Sequence, residues 1–358
     1  MNILVVSPHF CQYTETLYRN VNNYKLAFFL DENNYSNECG HKNNNLSNYY
    51  FFKSSTLRFP FRIISSYIYI KKLIRNFRPD VVHFVHFGTE QSFLFWMACS
   101  NIKRVVTIHD VVPHSGRDSK QSWRTKLLNI RKFIAEQADA IIVHGNSLKL
   151  ELAERWRPKA YVVPHPIFEP HHIHETVDGD VKNLFSRDLT MTLIGRIEAY
   201  KGLNVLYSAI RQLGEGVRNI RTLIAGSGPL VLPEDSNDLN IKILNRYLSD
   251  VEFQYIVKRS DILVLPYLDG SASGIIAYGI GFQKPMIVSR VGSFSEYLVD
   301  GETALFVEPG DHHDLTRAIS QMTSSGELRK MIAMNLSKLA VEFNRNSGLK
   351  MVDVFQTI

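Results

Sequence analysis

The 358-residue chain is short of cysteine, has no long apolar run and holds a single acid in its most loop-like small-residue stretch. Cys11, Cys39 and Cys99 are odd in number and widely spaced, which argues against a disulfide framework or a cysteine-based zinc site and suits a reducing, cytoplasmic compartment. A run of about 18 apolar residues, the length a spanning helix needs, is absent; the nearest approach is FLFWMA at 93–98. The opening MNILVVSPHF has no basic leader region or cleavage site and reads at once as a strand, so no secretory precursor is expected. No G-x-G-x-x-G joins the first strand to the first helix, where SPHFCQY stands, so a nicotinamide site is not indicated. The stretch PYLDGSASGIIAYGIGFQKPMIVS, 266–289, contains a single acid, Asp269, so carboxylates are not what its Gly/Ser/Ala loop uses to hold a ligand.

What is present is an ordinary globular composition, 45% hydrophobic and 21% charged, with enough length for two cores. A net charge of +6 admits nucleic acid, an anionic membrane or a phosphorylated substrate as partner. No nucleic-acid motif and no aromatic–basic interleaving accompanies it, so no nucleic-acid partner is expected.

Apolar strand-like runs alternate with helical patterns, as in α/β proteins with parallel sheets. ILVVS (3–7), DVVHFV (80–85), RVVTIHD (104–110), AIIVHG (140–145) and AYVVPH (160–165) form a first set, with helices expected over 63–77 and 123–137. LTMTLIG (189–195), RTLIAG (221–226), IKIL (241–244), ILVLP (262–266), PMIVS (285–289) and ALFVEP (304–309) form a second. The fold class is therefore α/β, with two Rossmann-like, doubly wound domains. The Asn-rich segment 31–50 reads as a loop. The polar stretch after Phe168 reads as a linker, and the histidines in and beside it, His165, His171, His172 and His174, as solvated rather than metal-binding. The expected domains are 1–168, a linker over 169–186, and 187–339, with 340–358 packing back onto the first.

In doubly wound domains ligands sit outside the carboxyl ends of the strands. At those ends the second half places Arg196 and Lys201 after TLIG, Gly226 and Gly228 after TLIAG, where they permit a tight turn close to a ligand, and Ser271, Ala272, Ser273 and Gly274 at a helix start after ILVLP. Two cations, a tight turn and free backbone N–H groups suit a diphosphate without a metal. In the first half His109 and Asp110 end a strand, with His9 a weaker candidate after the first strand and His83, His86 and His144 weaker still. Surface cations and plain turns are the plainer alternative for each feature taken singly.

Together, LIGRIEAYKGLNVLYSAIRQL, IAGSGP, SDILVLPY and KPMIVSRVGSFSEYLVDGETALFVEPGD resemble the family 4 retaining glycosyltransferases of the GT-B fold; TIHD, ADAIIVHGNSLKLEL and VVPHPI are similar to that family's first half. The resemblance implies two domains facing across a cleft. It implies a metal-independent hexosyltransferase without a cofactor, using a UDP- or GDP-linked sugar. Arg196 and Lys201 would hold the diphosphate and His109 would approach the transferred sugar. Gly195, Gly226, Gly228, Ser271, Ala272, Ser273, Gly274, Tyr278 and Glu296 would line the donor side, and His9, Thr14, Glu15 and Asp110 the acceptor side. The chain departs from the family at its Glu-x7-Glu pair, where Gly270 and Tyr278 stand, and looks like a branch with a Ser-x-Ser-Gly loop; QYTETLY replaces the usual Gly-Gly pair near the start.

The acceptor the resemblance implies is a glycan or polyprenyl-linked glycan in the assembly of a bacterial surface polysaccharide such as O-antigen, capsule or exopolysaccharide. For IISSYIYIKKLIRNFR, 63–78, two readings stand: a core helix with a solvated basic face, or an amphipathic segment resting peripherally on the anionic inner leaflet. The rival functions are a degenerate sugar-nucleotide-binding protein and a GT-B sugar-nucleotide epimerase.

Overall fold

The computed structural model describes residues 1–39, 47–55, 60–87, 90–109, 111, 130, 132–168, 177–185, 189–214, 220–229, 240–270 and 273–358. The chain divides into two compact units, one of Met1–Val111, Lys120–Pro166 and Phe343–Ile358, the other containing Ile167–Glu342.

The first unit is built on β1 (Asn2–Ser7), β2 (Lys25–Asp31), β3 (Tyr49–Phe52), β4 (Val81–Phe84), β5 (Lys103–Thr107), β6 (Ala140–Val143) and β7 (Ala160–Val162). They form one parallel sheet in the order β3-β2-β1-β4-β5-β6-β7. The second unit carries β8 (Leu189–Ile194), β9 (Ile220–Ala225), β10 (Ile241–Leu244), β11 (Ile262–Leu265), β12 (Met286–Ser289) and β13 (Leu305–Val307). Its parallel sheet runs β10-β9-β8-β11-β12-β13. The central strands are continuous apolar runs because helices cover both faces of a doubly wound sheet, and β4, β6, β11 and β12 are buried along their whole length.

Several elements differ from expectation. β2 and β3 were not among the expected strands, and the supposed loop 31–50 contains the helix Glu32–Cys39 as well as the start of β3. That helix, ENNYSNEC, buries only Tyr35, so its polar composition hides it. Tertiary contacts hold it: the Tyr35 ring lies 5.1 Å from Phe51, and its hydroxyl donates to Glu15 Oε1 at 3.0 Å. Within the expected linker, residues Gly179–Lys182 form a short helix anchored by fully buried Val181, while 169–176 lie outside the described residues. Of the expected helix 123–137, residues 132–137 are helical and 123–129 and 131 lie outside the described residues.

The helix Pro60–Phe77 buries Ile63, Ile70 and Leu73 and turns Arg62, Lys71, Lys72 and Arg75 outward. The terminal helix Gly326–Thr357 packs Ile332 and Leu336 into the second unit's core. From Phe343 onward it belongs to the first, where Phe355 stacks on Tyr18 at 6.3 Å and Ser347 Oγ donates to Pro164 O at 2.9 Å.

Candidate functional site

In each sheet the strand order reverses once, between β1 and β4 and between β8 and β11, and it is at this switch that loops diverge to leave a crevice for ligand. In the second unit three strand-end loops meet there through their backbones. Gly195 N donates to Ala225 O and Ile197 N to Ser227 O, each at 2.9 Å, and Leu268 N donates to Tyr200 O at 2.7 Å. A Cβ on Gly226 would stand 2.1 Å from Gly195 O, one on Gly228 2.0 Å from Ile197 O, and one on Gly202 1.8 Å from Pro266 O. The neighbouring backbone alone therefore demands glycine at 202, 226 and 228, whatever ligand the loops receive.

This interlock fixes Lys201, the last residue of the 3-10 turn Ala199–Lys201. Its side chain is buried, with Nζ 5.1 Å from the centroid of the Tyr267 ring, and a Cβ on Gly195 would lie only 3.0 Å from that nitrogen. Burial holds the Lys201 ammonium below its ordinary pKa; Tyr200 opposes this, the positive charge of Arg196 adds to it and Glu198 opposes it. Arg196 itself is exposed. A partly desolvated cation beside a second cation is a place where a bound anion gains more than it would in water.

The third loop leads into the helix Gly274–Gly281. Ser271 and Ala272 lie outside the described residues. Ser273 is the N-cap, its hydroxyl accepting from Ile275 N at 3.3 Å, and a Cβ on Gly274 would meet nothing within 4 Å. Tyr278 is half-buried, its ring 4.5 Å from Phe168 and 4.9 Å from Phe253 between centroids. Glu296 is exposed in the short helix Phe294–Tyr297.

In the first unit, His9 and Phe10 follow β1, His86 follows β4 and His109 follows β5. The Phe10 ring lies 5.1 Å from His86 and 4.8 Å from His109, and Phe10 adopts φ 64°, a left-handed conformation costly for a bulky residue. His109 Nε2 lies 3.0 Å from Val85 O; a carbonyl only accepts, so that nitrogen carries a proton and Nδ1 is the one whose protonation can vary. His9 pairs with Asn34 at 2.9 Å, and burial lowers its pKa against the pull of Asp31. Of the other acceptor-side residues, Thr14 is fully buried in the helix Cys11–Tyr18 and donates to Ser7 Oγ at 2.9 Å or to Phe10 O at 2.8 Å. Glu15 accepts from Tyr35, and Asp110 lies outside the described residues.

Behind His109 sits a set of neutral imidazoles. His144 is 5.1 Å from His109 and donates through Nδ1 to Val163 O at 2.9 Å, while Tyr13 OH lies 3.2 Å from its Nε2. His83 lies between Tyr18 OH at 2.6 Å and Thr107 Oγ1 at 2.8 Å. Burial, with His109 adding, holds His144 well below the usual value and His83 at about 3. His165, expected in solvent, packs 5.1 Å from both Tyr13 and His144; part of its surface is exposed, yet exclusion of water from the ring holds it at about 4. His171, His172 and His174 lie outside the described residues.

Asp178-Gly179-Asp180 is an Asp-x-Asp pair that the metal-free expectation passes over, and with Glu252 it forms a group whose ligand atoms lie within 4.8 Å of one another. Arg246 bridges two of its members, at 3.1 Å to Asp180 and 2.6 Å to Glu252, which makes this an ion-pair cluster.

Two family profiles match the chain, one in each unit: Glycosyltransferase Family 4 over residues 33–168 and Glycosyl transferases group 1 over residues 188–325. This is a glycosyltransferase of the group 1, family 4 type. An uncharacterised glycosyltransferase of Methanocaldococcus jannaschii is 24% identical over 291 residues, 79% of this chain and 76% of that one. Among solved structures, sucrose-phosphate synthase from Thermosynechococcus elongatus matches with TM-score 0.70 and 15% identity over 100% of this chain and 98% of that one. HepE of Anabaena in complex with UDP-glucose matches with TM-score 0.68 and 14% identity over 100% and 99%. The two parallel sheets and these likenesses make the fold GT-B. Among the residues on which the transferase builds its strand ends, sequence reasoning passed over Phe10 and Tyr267. Nothing in a sequence marks a left-handed phenylalanine, but an aromatic directly after a buried strand, as in ILVLPY, is a readable signal for a ring placed beside a strand-end cation.

Proposed function

We propose that this glycosyltransferase moves a sugar from a UDP- or GDP-linked donor to a glycan or polyprenyl-linked acceptor, with retention at the anomeric carbon and without a metal. The observation that carries this reading is the placement of buried Lys201, exposed Arg196 and the open start of the helix Gly274–Gly281 around one strand-order switch. The acceptor oxygen attacks the anomeric carbon on the face the diphosphate leaves, the carbon–oxygen bond to phosphate breaks, and the departing oxygen takes the acceptor's proton. Arg196, Lys201 and helix-start amides stabilise the charge that develops on the diphosphate. His109 is assigned to the transferred sugar. The absence of carboxylates at Gly270 and Tyr278 alters the grip on the sugar and leaves the reaction type unchanged.

Assembly of a surface polysaccharide at the inner leaflet is the setting we infer. Its support is the outer face of the helix Pro60–Phe77, where Phe61, Ile64 and Ile68 are 84%, 53% and 61% exposed beside four cations and no acid. Among the described residues no helix is long and apolar enough to cross a membrane.

The test is incubation with a panel of UDP- and GDP-sugars and polyprenyl-linked acceptors in EDTA, following both nucleotide release and sugar identity. Transfer is expected. Isomerised sugar without transfer would assign an epimerase, and binding without turnover a degenerate binding protein.

A further inference from the structure

The first unit contains a cavity of about 180 Å³ beside His109. Its walls are mostly apolar, formed by Phe87, Val106, Ile134, Ala135 and Leu152. His86, His109, Thr107 and Lys132 supply its polar part, and the Phe10 ring lies 5.1 Å from His86 and 4.8 Å from His109, with 6.4 Å between the two imidazoles. Trp156 also lines it, and the indole Nε1 is buried with no hydrogen-bond partner among the described residues. For scale, an engineered apolar cavity of about 150 Å³ in another protein stays dry and takes up benzene.

We infer that this cavity is a subsite for a hydrocarbon group of five to seven carbons, roughly one isoprene unit or one aromatic ring, carried by the acceptor next to an oxygen that lies at the His86 and His109 flank. The inference rests on the glycosyltransferase reading for its link to the acceptor and on the cavity alone for its chemistry. The apolar wall excludes a sugar, whose hydroxyls would lose their hydrogen bonds there. The imidazoles of His86 and His109 give the cavity one polar flank, so the ligand it suits is amphipathic, with its hydrocarbon inside and its polar end at the residue assigned to the chemical step. Phe10, held in a strained conformation and 41% exposed, forms part of the same wall.

The test uses the full chain with 15N-labelled tryptophan, the Trp156 indole resonance being assigned through Trp156→Phe. Benzyl alcohol and prenol (3-methyl-2-buten-1-ol) are titrated, with glycerol as the polar control and UDP as an independent probe of the second unit. A saturable shift of the Trp156 signal with either alcohol and none with glycerol is expected. A response to benzyl alcohol only identifies a ring-bearing acceptor, and to prenol only an isoprenoid one. Ala135→Leu, which fills the cavity, should abolish the shift while UDP binding stays as in the wild type. No saturable shift, or the same shift in Ala135→Leu, overturns the inference. Loss of UDP binding by the wild type would instead count against the glycosyltransferase reading.

Discussion

At the scale of single residues, the histidines give the sharpest consequence. His83 and His165 are held at about 3 and about 4 when folded, with burial the main cause, and return towards about 6.5 when unfolded. Between those values the unfolded chain binds more protons, so their contribution is full above about pH 6.5 and is lost as pH falls below it. At about pH 5 each costs about 2 kcal/mol of stability. Urea unfolding at about pH 7.5 and pH 5 should show a steep decline that His83→Gln makes shallower; parallel pH dependences would mean that His83 is not held neutral. At His109, alanine should lower turnover far more than donor affinity, since the imidazole is assigned to the transferred sugar rather than the nucleotide. An unchanged rate of transfer would leave His109 a structural role, with its hydrogen bond to Val85 and its packing on Phe10 and His144.

At the scale of elements, the interlocking loops make glycine at 202 a packing requirement. Gly202→Ala meets both φ 69° and a carbonyl oxygen 1.8 Å from the new Cβ, and should cost more than about 2 kcal/mol in chemical denaturation. A neutral result would show that the β8 and β11 loops part easily. Gly274→Val differs, because among the described residues nothing lies within 4 Å of a Cβ there: it should leave stability unchanged and weaken donor binding if a diphosphate approaches the helix start. Retained affinity would place the donor elsewhere. The central strands were legible because a strand buried on both faces is a plain run of Val, Ile and Leu, as ILVL at β11 is. β3 was not, since YYFF is half-buried beside an Asn-rich segment, and the helix Glu32–Cys39 was not, since its order comes from Tyr35 and Glu15 rather than from its own polar sequence.

At the scale of the whole molecule, the chain order of motifs revealed two doubly wound units, and position at strand ends singled out Arg196 and Lys201 as candidates. Two things were hidden. The glycines at 226 and 228 read as a tight turn close to a ligand, and what the sequence did not show is that the backbone of the neighbouring loop leaves no space for a Cβ there, a contact between segments some 30 residues apart that no local pattern encodes. The histidines around His109 are scattered from His83 to His165 and become a cluster only through the strand order. The central claim is that Arg196 and Lys201 hold a nucleotide diphosphate without a metal. Calorimetric titration of UDP and GDP in EDTA, with wild type, Arg196→Ala and Lys201→Ala, tests it most directly. The account predicts binding of at least one nucleotide by the wild type and about tenfold or greater weakening in each variant, the loss of a charge-assisted contact being about 1.5–3 kcal/mol. Equal affinity in all three proteins, or binding that appears only when manganese or magnesium is added, would contradict it.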